Sequence, residues 1–397
     1  MKIAHFILLI SLPALLGLAG NKSIVTQFSE LGIEIDQQLV LQSPLHGELG
    51  SFWQDLQTAE YRMIGMDSQS VETHVNIEQI SSQDFRQDST KNVILRWLAD
   101  LAPEIKKVDE IFSKVNPPQD CIPPQYPANL YLVPQKALNL FLVDKLWQLE
   151  SPKLKERQLA LKKMNHFAST LLMCSHSFIE KSIALSFVKR VLNSQTELVQ
   201  EMALRHEIRQ AAKTSEISRS DFISQTIRFE FTNTLWTTAP GIKQLQRIGD
   251  SIRNHDLSFI LPPMEEFLQP ELAFFEIQEL HRLSLKDSHE GQWEKSLKYF
   301  ETLADKSVKP PELNSFVGAY LEKGVVNHLK FLKLSWDMEA SGTWNNFLGR
   351  TLLTIGTRLS PARLQHLANQ WDEVEAFRQR LAVSLGDEVE AQQTPSL

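Results

Sequence analysis

Residues 153–172, KLKERQLALKKMNHFASTLL, carry apolar side chains every three or four positions. This spacing is typical of one face of an α-helix. The apolar positions of that face are Leu154, Leu161, Met164, Phe167 and Leu171. Because Lys and Arg occupy much of the remaining surface, the segment is predicted to be an amphipathic helix with one face in a core and the other in water.

The segments on both sides carry the same helical signal. Residues 130–149 are apolar on most sides, which predicts a helix at the centre of a core. Residues 177–192 form another amphipathic pattern, with an apolar face made of Ile179, Ile183, Phe187 and Val191. The central part of the chain is therefore predicted to contain three helices that pack together.

Helical periodicity extends through the rest of the chain. An apolar stripe covers residues 93–112, and Pro103 either kinks this helix or begins a second one. Residues 228–231 alternate as a strand would, but we favour helix or irregular structure there. Further helices are predicted over 197–213, 221–236, 271–284, 292–305, 312–340, 346–353 and 361–385.

Glycine is scarce, at 15 of 397 residues, whereas all-β proteins need many glycine-rich turns. The chain is therefore predicted to be all-α, either an irregular multi-helix bundle or a short helical superhelix. The superhelix is suggested by residues 291–300, which resemble half of a tetratricopeptide unit. Gly324 lies near the right repeat distance but lacks the accompanying aromatic residue, so the irregular bundle is favoured.

Five prolines between residues 117 and 127 predict a stiff linker and the clearest internal boundary. The predicted organisation is a leader (1–20), an N-terminal helical region (21–116), the linker (117–127), a central helical region (128–254), a C-terminal helical region (255–385) and a disordered tail (386–397).

The first twenty residues have the layout of an export signal. Lys2 precedes an apolar run that ends in the small residues 17–19. The run is slightly shorter than the roughly 20 apolar residues of a transmembrane helix, and Pro13 interrupts it. We therefore favour a cleaved signal peptide over a retained membrane anchor. Either alternative predicts a periplasmic protein or one anchored in the inner membrane and facing the periplasm.

Charge is distributed unevenly along the chain. The net charge of −7 argues against nucleic acid as a partner. Residues 151–213 nevertheless contain eleven Lys or Arg against five Glu. Such a surface is either an ordinary solvated face or a binding face for an anionic membrane or an envelope protein. The candidate interaction residues are Lys153, Lys155, Arg157, Lys162, Lys163, Lys189 and Arg190.

Known catalytic and metal-binding signatures are missing from the sequence, which has no Gly-x-Ser-x-Gly elbow and no phosphate-binding glycine loop. Residues 206–210, HEIRQ, approach a zinc-protease motif but place Gln210 where the second histidine would be. We therefore predict no metal, no cofactor and no catalytic residue. Glu276, Glu279, His281 and His289 are expected to form a surface cluster.

Cys121 and Cys174 are the two cysteines of the chain. Outside the cytoplasm they could form a disulfide. Because Cys174 follows the apolar residues 171–173, a buried free thiol is favoured, and the pairing stays open. His176 lies two residues from Cys174, a spacing at which helical side chains diverge, so no nucleophile pair is expected.

Three stretches resemble a family of exported, mostly helical proteobacterial proteins with no established activity: residues 130–138 (LYLVPQKAL), 175–184 (SHSFIEKSIA) and 345–353 (NNFLGRTLL). A loose Ser-x-x-x-Ile-x-Lys-x-Ile-Ala-like pattern is matched by Ser177, Ile179, Lys181, Ile183 and Ala184. Asn346 and Gly349 match an Asn-Pro-x-Gly signature, in which Phe347 replaces the proline. The resemblance implies an exported helical protein and transfers no catalytic residue.

Two functions follow as expectations. The first is a non-catalytic helical module of the cell envelope that binds a protein or the membrane surface. The alternative is a carboxylate-dependent periplasmic hydrolase using Glu207, Glu276 or Glu279, which would require two carboxylates in one pocket with separated pKa values.

Overall fold

The computed structural model describes residues 24–30, 32–40, 52–67, 85, 88–115, 121, 134–213, 217–253, 270–306, 333, 336–337 and 360–386. Within this part of the chain, 84% of residues are helical and none lies in a strand. The predicted all-α fold is therefore confirmed, and the strand alternative at residues 228–231 is wrong because they lie inside a helix.

Twelve α-helices make up the described part of the chain. They are α1 (Ile24–Ser29), α2 (Phe52–Asp67), α3 (Asp88–Asp100), α4 (Ala102–Lys114), α5 (Gln135–Leu149), α6 (Leu154–Cys174), α7 (Phe178–Thr196), α8 (Arg205–Ala212), α9 (Arg219–Arg253), α10 (Pro270–Glu290), α11 (Glu294–Lys306) and α12 (Pro361–Ser384). A 3-10 turn, Met202–Leu204, precedes α8. Pro103 lies in the first turn of α4, so it begins a second helix rather than kinking the first.

Contacts between residues divide the chain into two compact units. The first unit combines Met1–Gln42 with Ile223–Gln365, and the second combines Ser43–Phe222 with His366–Leu397. Both α9 and α12 therefore contribute residues to each unit.

The core of the second unit is built around α5, which packs against α2, α4 and α6. Leu138, Leu140 and Leu142 of α5 are fully buried. Phe141 lies 5.3 Å from Phe112 and 4.9 Å from Phe167, measured between ring centroids. The predicted central position of this helix is thus confirmed by an aromatic cluster that joins α4, α5 and α6.

A charged network joins the same three helices. The Lys145 ammonium is almost fully buried and lies 2.8 Å from Asp144 and 3.5 Å from Asp109. Asp109 also accepts a hydrogen bond from Lys163 of α6. These charged side chains therefore link α4, α5 and α6 through shared carboxylate partners.

Two residues predicted on buried helix faces are instead exposed. Leu154 is 42% exposed and Ile179 is 60% exposed. Both lie in the first turn of their helices. In the first turn of α7 the buried positions belong to Glu180 and Lys181, which make polar contacts described below.

The first unit contains a helical hairpin formed by α10 and α11. Gly291 turns the chain with a φ of 70°, in the left-handed region that glycine adopts readily. The Asp287 carboxylate then accepts a hydrogen bond of 2.8 Å from the Ser296 backbone N–H. Residues 291–300, which resemble half of a tetratricopeptide unit, cover this turn and the start of α11, while the proposed continuation at Gly324 lies outside the described residues.

Several predicted features also lie outside the described residues. These are the leader, most of the proline-rich linker, the helix at 346–353, nearly all of the helix at 312–340 and most of the tail. Among the helices that are described, none combines the length and hydropathy needed to cross a bilayer.

Candidate functional site

One face of α6 presents lysine and leucine side chains to solvent. Lys155, Leu159 and Lys162 occupy positions i, i+4 and i+7, and all three are exposed. Leu159 exposes 52% of its surface, a large fraction for a leucine. The opposite side of α6 is buried in the core through Leu161 and Met164, so this row faces water.

The segment before α8 is held against α6 by Arg157 and Gln158. Gln158 of α6 donates a 3.0 Å hydrogen bond to the Ala203 carbonyl oxygen, and Arg157 lies 2.6 Å from Glu201. These contacts hold the 3-10 turn against α6, and Met202 within that turn is 76% exposed. We call the surface formed by Leu154, Lys155, Leu159, Lys162 and Met202 the basic–apolar face.

The structure separates the seven predicted interaction cations into two groups. Lys155 and Lys162 are exposed and form no ion pair with any described residue. The other five contact acceptors of the second unit: Lys153 with Glu156, Arg157 with Glu201, Lys163 with Asp109, Lys189 with Glu373 and Arg190 with Asn139. The hydrogen bond from Lys153 to Glu156 raises the pKa of Lys153.

A disulfide lies at the C-terminal end of α6. Cys121 and Cys174 are bonded, with 4.5 Å between their Cα atoms and a sequence separation of 53. The favoured prediction of a free thiol at Cys174 is therefore wrong. The apolar residues before Cys174 correctly indicated burial, but burial does not distinguish a thiol from half of a disulfide.

The start of α7 is capped by side chains of the same junction. The Ser177 hydroxyl accepts a hydrogen bond from the Glu180 N–H at 3.2 Å. The Glu180 carboxylate accepts from the N–H groups of His176 and Ser177 at 2.8 and 3.0 Å. This is a capping box, and the Ser-x-x-Glu spacing at 177–180 could have predicted it.

Two buried bases lie beside the capping box. His176 donates through Nε2 to the Cys121 carbonyl oxygen at 3.1 Å. Burial, with a smaller contribution from the nearby Lys181 charge, lowers the pKa of His176 to about 3. The imidazole is therefore neutral at physiological pH and acts as a hydrogen-bond donor that holds Cys121 near α6.

Lys181 is completely buried in the same region. Its Nζ donates to the Phe222 carbonyl oxygen and lies 4.0 Å from the centroid of the Phe222 ring. Phe222 in turn contacts Trp371 of α12, with 4.5 Å between ring centroids. Burial lowers the pKa of Lys181 to about 7, despite the opposing effect of the Glu180 charge.

The low pKa of Lys181 predicts an unusual dependence of stability on pH. Between pH 7 and 9 the unfolded chain keeps a proton on this lysine that the folded chain releases, so stability rises with pH. We expect Lys181 to raise the free energy of unfolding by about 2 kcal/mol between pH 7 and pH 9. Urea unfolding at pH 7 and 9 should show a smaller rise in stability for Lys181→Met than for the wild type. Lys189→Met, which replaces an exposed lysine on the same helix, should show the same rise as the wild type.

The other predicted chemical groups lie on α8 and α10. In the described part of the chain, no group of three or more His, Cys, Asp or Glu residues has the arrangement of a metal site. The Glu279 carboxylate accepts a 2.7 Å hydrogen bond from Arg282.

His281 differs from the predicted surface cluster. It is buried, with 2.8 Å between Nδ1 and the Ile277 carbonyl oxygen, because α10 turns this position toward Phe231 in the first unit. Burial lowers the pKa of His281 to about 4. The expectation of a surface cluster is therefore wrong for His281.

The described side chains thus include an accessible surface, the basic–apolar face, and a closed polar junction around the disulfide. The first is suited to binding an extended anionic surface, and the second to holding α6, α7 and the start of α9 together. Comparisons with protein families, with curated proteins and with solved structures found no significant match, so the function is inferred from these residues.

Proposed function

We propose that the chain is a non-catalytic helical module of the bacterial cell envelope that binds an anionic membrane surface through the basic–apolar face. The supporting observation is the alternation of Lys155 and Lys162 with exposed leucine side chains on α6. Helices that lie on membranes combine cations, which attract anionic headgroups, with apolar side chains that enter the headgroup boundary.

The strength of this interaction follows from the size of the face. A lysine near an anionic membrane contributes about 1 kcal/mol, and burial of an exposed leucine or methionine side chain adds about 1–2 kcal/mol. With Lys155, Lys162, Leu159 and Met202 as the main contributors, binding should be reversible and sensitive to salt.

Export across the inner membrane is the second part of the proposal. The predicted leader supports it, and so does the buried Cys121–Cys174 disulfide, because disulfides persist in oxidising compartments such as the periplasm. A periplasmic address places the basic–apolar face in the same compartment as anionic phospholipid headgroups.

The hydrolase alternative has weaker support. It requires two carboxylates in one pocket, one of them protonated. Glu279 is ion-paired with Arg282, and among the described residues no contact joins Glu207 to a second carboxylate. We therefore favour membrane binding over hydrolysis.

Charge reversal on α6 tests the proposal. Lys155→Glu/Lys162→Glu is expected to weaken binding to phosphatidylglycerol-containing vesicles at least about thirtyfold, because two favourable lysine contributions are lost and repulsion is added. Co-sedimentation of the full chain with vesicles at low and physiological salt measures this change. Because both substitutions lie on an exposed surface, circular dichroism should show unchanged helix content.

The matched control is Lys106→Glu/Lys295→Glu, which makes the same change in net charge at two exposed lysines outside the face. It should bind as the wild type does, and vesicles of neutral phosphatidylcholine should bind all three proteins equally weakly. Equal loss of binding in both double variants would mean that net charge alone attracts the chain. Absence of wild-type binding to anionic vesicles would refute the membrane-surface function. Binding to an envelope protein would then be the remaining interpretation of the face.

A further inference from the structure

The disulfide raises the question of how it forms. Because the chain has two cysteines, one intramolecular pairing is possible. In the folded protein Cys121 is 9% exposed and Cys174 is 1% exposed. An oxidising reagent must approach a sulfur atom directly, so the reaction has to begin before Cys121 packs against the end of α6.

The two cysteines differ in when they become inaccessible. Cys174 is the last residue of α6 and follows Leu171 and Leu172, which are buried. Helices form within microseconds and collapse is similarly fast, whereas disulfides take seconds to hours to form. Cys174 is therefore expected to be inside a partly packed helical core before an oxidant reacts.

Cys121 has the opposite sequence context. Pro118 and Pro123 flank it closely, and proline lacks the backbone N–H group that the interior of a helix requires. Gln119 and Asp120 before it are polar, and Ile122 after it is the one apolar residue between Pro118 and Pro123 apart from the cysteine itself. Cys121 therefore stays accessible until the bond to Cys174 closes.

We propose that Cys121 is the cysteine that reacts first, with a disulfide-bearing thiol oxidant outside the cytoplasm, and that Cys174 completes the bond. The compartment in this proposal rests on the export proposed above, whereas the order of reaction rests on the two sequence contexts and on burial. The order thus assigns Cys121 as the site at which this chain contacts its oxidant.

The chemistry is a pair of thiol–disulfide exchanges. The Cys121 thiolate attacks one sulfur of the oxidant's disulfide, which forms a mixed disulfide and releases the oxidant's other sulfur as a thiolate. The Cys174 thiolate then attacks the Cys121 sulfur of the mixed disulfide, which forms the Cys121–Cys174 bond and releases the oxidant's second thiolate. Two electrons pass to the oxidant, which takes up the two protons that the cysteines lose.

The junction around His176 favours the second exchange. The His176 imidazole donates to the Cys121 carbonyl oxygen, and the Glu180 carboxylate holds the His176 backbone N–H. Once Cys121 is in the mixed disulfide, these hydrogen bonds hold its segment at the end of α6, where the Cα atoms of the two cysteines are 4.5 Å apart in the folded protein. His176 is therefore a positioning residue for closure of the bond.

Refolding in oxidised glutathione tests the order of reaction. The full chain, reduced and unfolded, is diluted into refolding buffer with oxidised glutathione, quenched with acid at intervals, and mapped by peptide mass spectrometry. The first glutathione adduct is expected on Cys121, several-fold in excess over Cys174, and it should decay as the Cys121–Cys174 bond appears. A first adduct on Cys174, or equal adducts on both cysteines, would overturn the assignment.

Two single variants give a second readout. Cys174→Ser is expected to retain glutathione on Cys121 after refolding, whereas Cys121→Ser should carry several-fold less adduct on Cys174 because that thiol is buried. Adduct mapping of the wild type does not depend on whether these variants fold.

The adduct result is also independent of membrane binding, so a failure of the vesicle experiment and a failure of this one are distinguishable. In cells, the chain with its leader should carry no free thiol when alkylated without reduction, and the chain without residues 1–20 should carry two. Free thiols in the chain with its leader would contradict oxidation outside the cytoplasm.

Discussion

Reduction of the Cys121–Cys174 disulfide is expected to lower the free energy of unfolding of the second unit by about 4 kcal/mol. The bond closes a loop with a sequence separation of 53 residues, and the chain-entropy model assigns about this value to a loop of that length. The loss is a large fraction of the 5–15 kcal/mol that typically holds a folded protein together.

Urea unfolding of the full chain with and without a phosphine reductant, followed by circular dichroism, measures the effect. The control is Cys121→Ser/Cys174→Ser, which should unfold at the lower urea concentration and show no further response to reductant. If the double variant were as stable as the oxidised wild type, the disulfide would have no structural role.

Acidification is expected to destabilise both units through His176 and His281. Their pKa values are lowered by burial to about 3 and about 4, whereas both titrate near 6.5 in the unfolded chain. Below pH 6.5 the unfolded chain therefore binds protons that the folded chain does not, and stability falls as the pH falls. The contribution of the two histidines to the free energy of unfolding is fully present above pH 6.5 and is lost progressively as the pH falls toward 4.

At pH 4.5 each histidine should lower the free energy of unfolding by about 2.5 kcal/mol relative to its value at pH 7. His176→Gln keeps a side-chain N–H near the Cys121 carbonyl oxygen, and His281→Asn keeps one near the Ile277 carbonyl oxygen. Each variant should therefore lose less stability than the wild type between pH 7 and 4.5 in urea unfolding. His206→Gln, at an exposed histidine of α8, is the control and should follow the wild type.

Carboxylates also titrate in this range, so the comparison between variant and wild type is the informative quantity. Burial raises the pKa of Glu60, for example, which gives that group the opposite dependence on pH from the two histidines. An unchanged acid response in both histidine variants would show that neither imidazole is excluded from protonation in the folded protein.

The helices of the central region could be predicted because their apolar spacing extends over several turns. In α6, Leu161, Met164, Phe167 and Leu171 are buried as the periodicity predicts. Leu154 and Ile179 share that periodicity but are exposed, and in the first turn of α7 Glu180 and Lys181 are buried instead, because burial depends on where the neighbouring elements lie. Spacing within one helix contains no information about the position of its neighbours.

The candidate site shows a similar division between local and long-range information. The excess of cations in residues 151–213 is a local property and predicted a basic surface. Which lysines stay available depends on acceptors distant in sequence: Lys163 contacts Asp109 and Lys189 contacts Glu373. The disulfide and the burial of Lys181 depend on tertiary packing in the same way, whereas the Ser177–Glu180 capping box was visible in four consecutive residues.

The disulfide also determines how the chain transmits mechanical force. Helices α5 and α6 lie inside the covalent ring that Cys121 and Cys174 close. Tension applied at the two termini passes through the sulfur atoms and bypasses those helices, even after the rest of the second unit has been pulled apart. The 53-residue separation corresponds to roughly 180 Å of contour length that becomes extensible only after reduction.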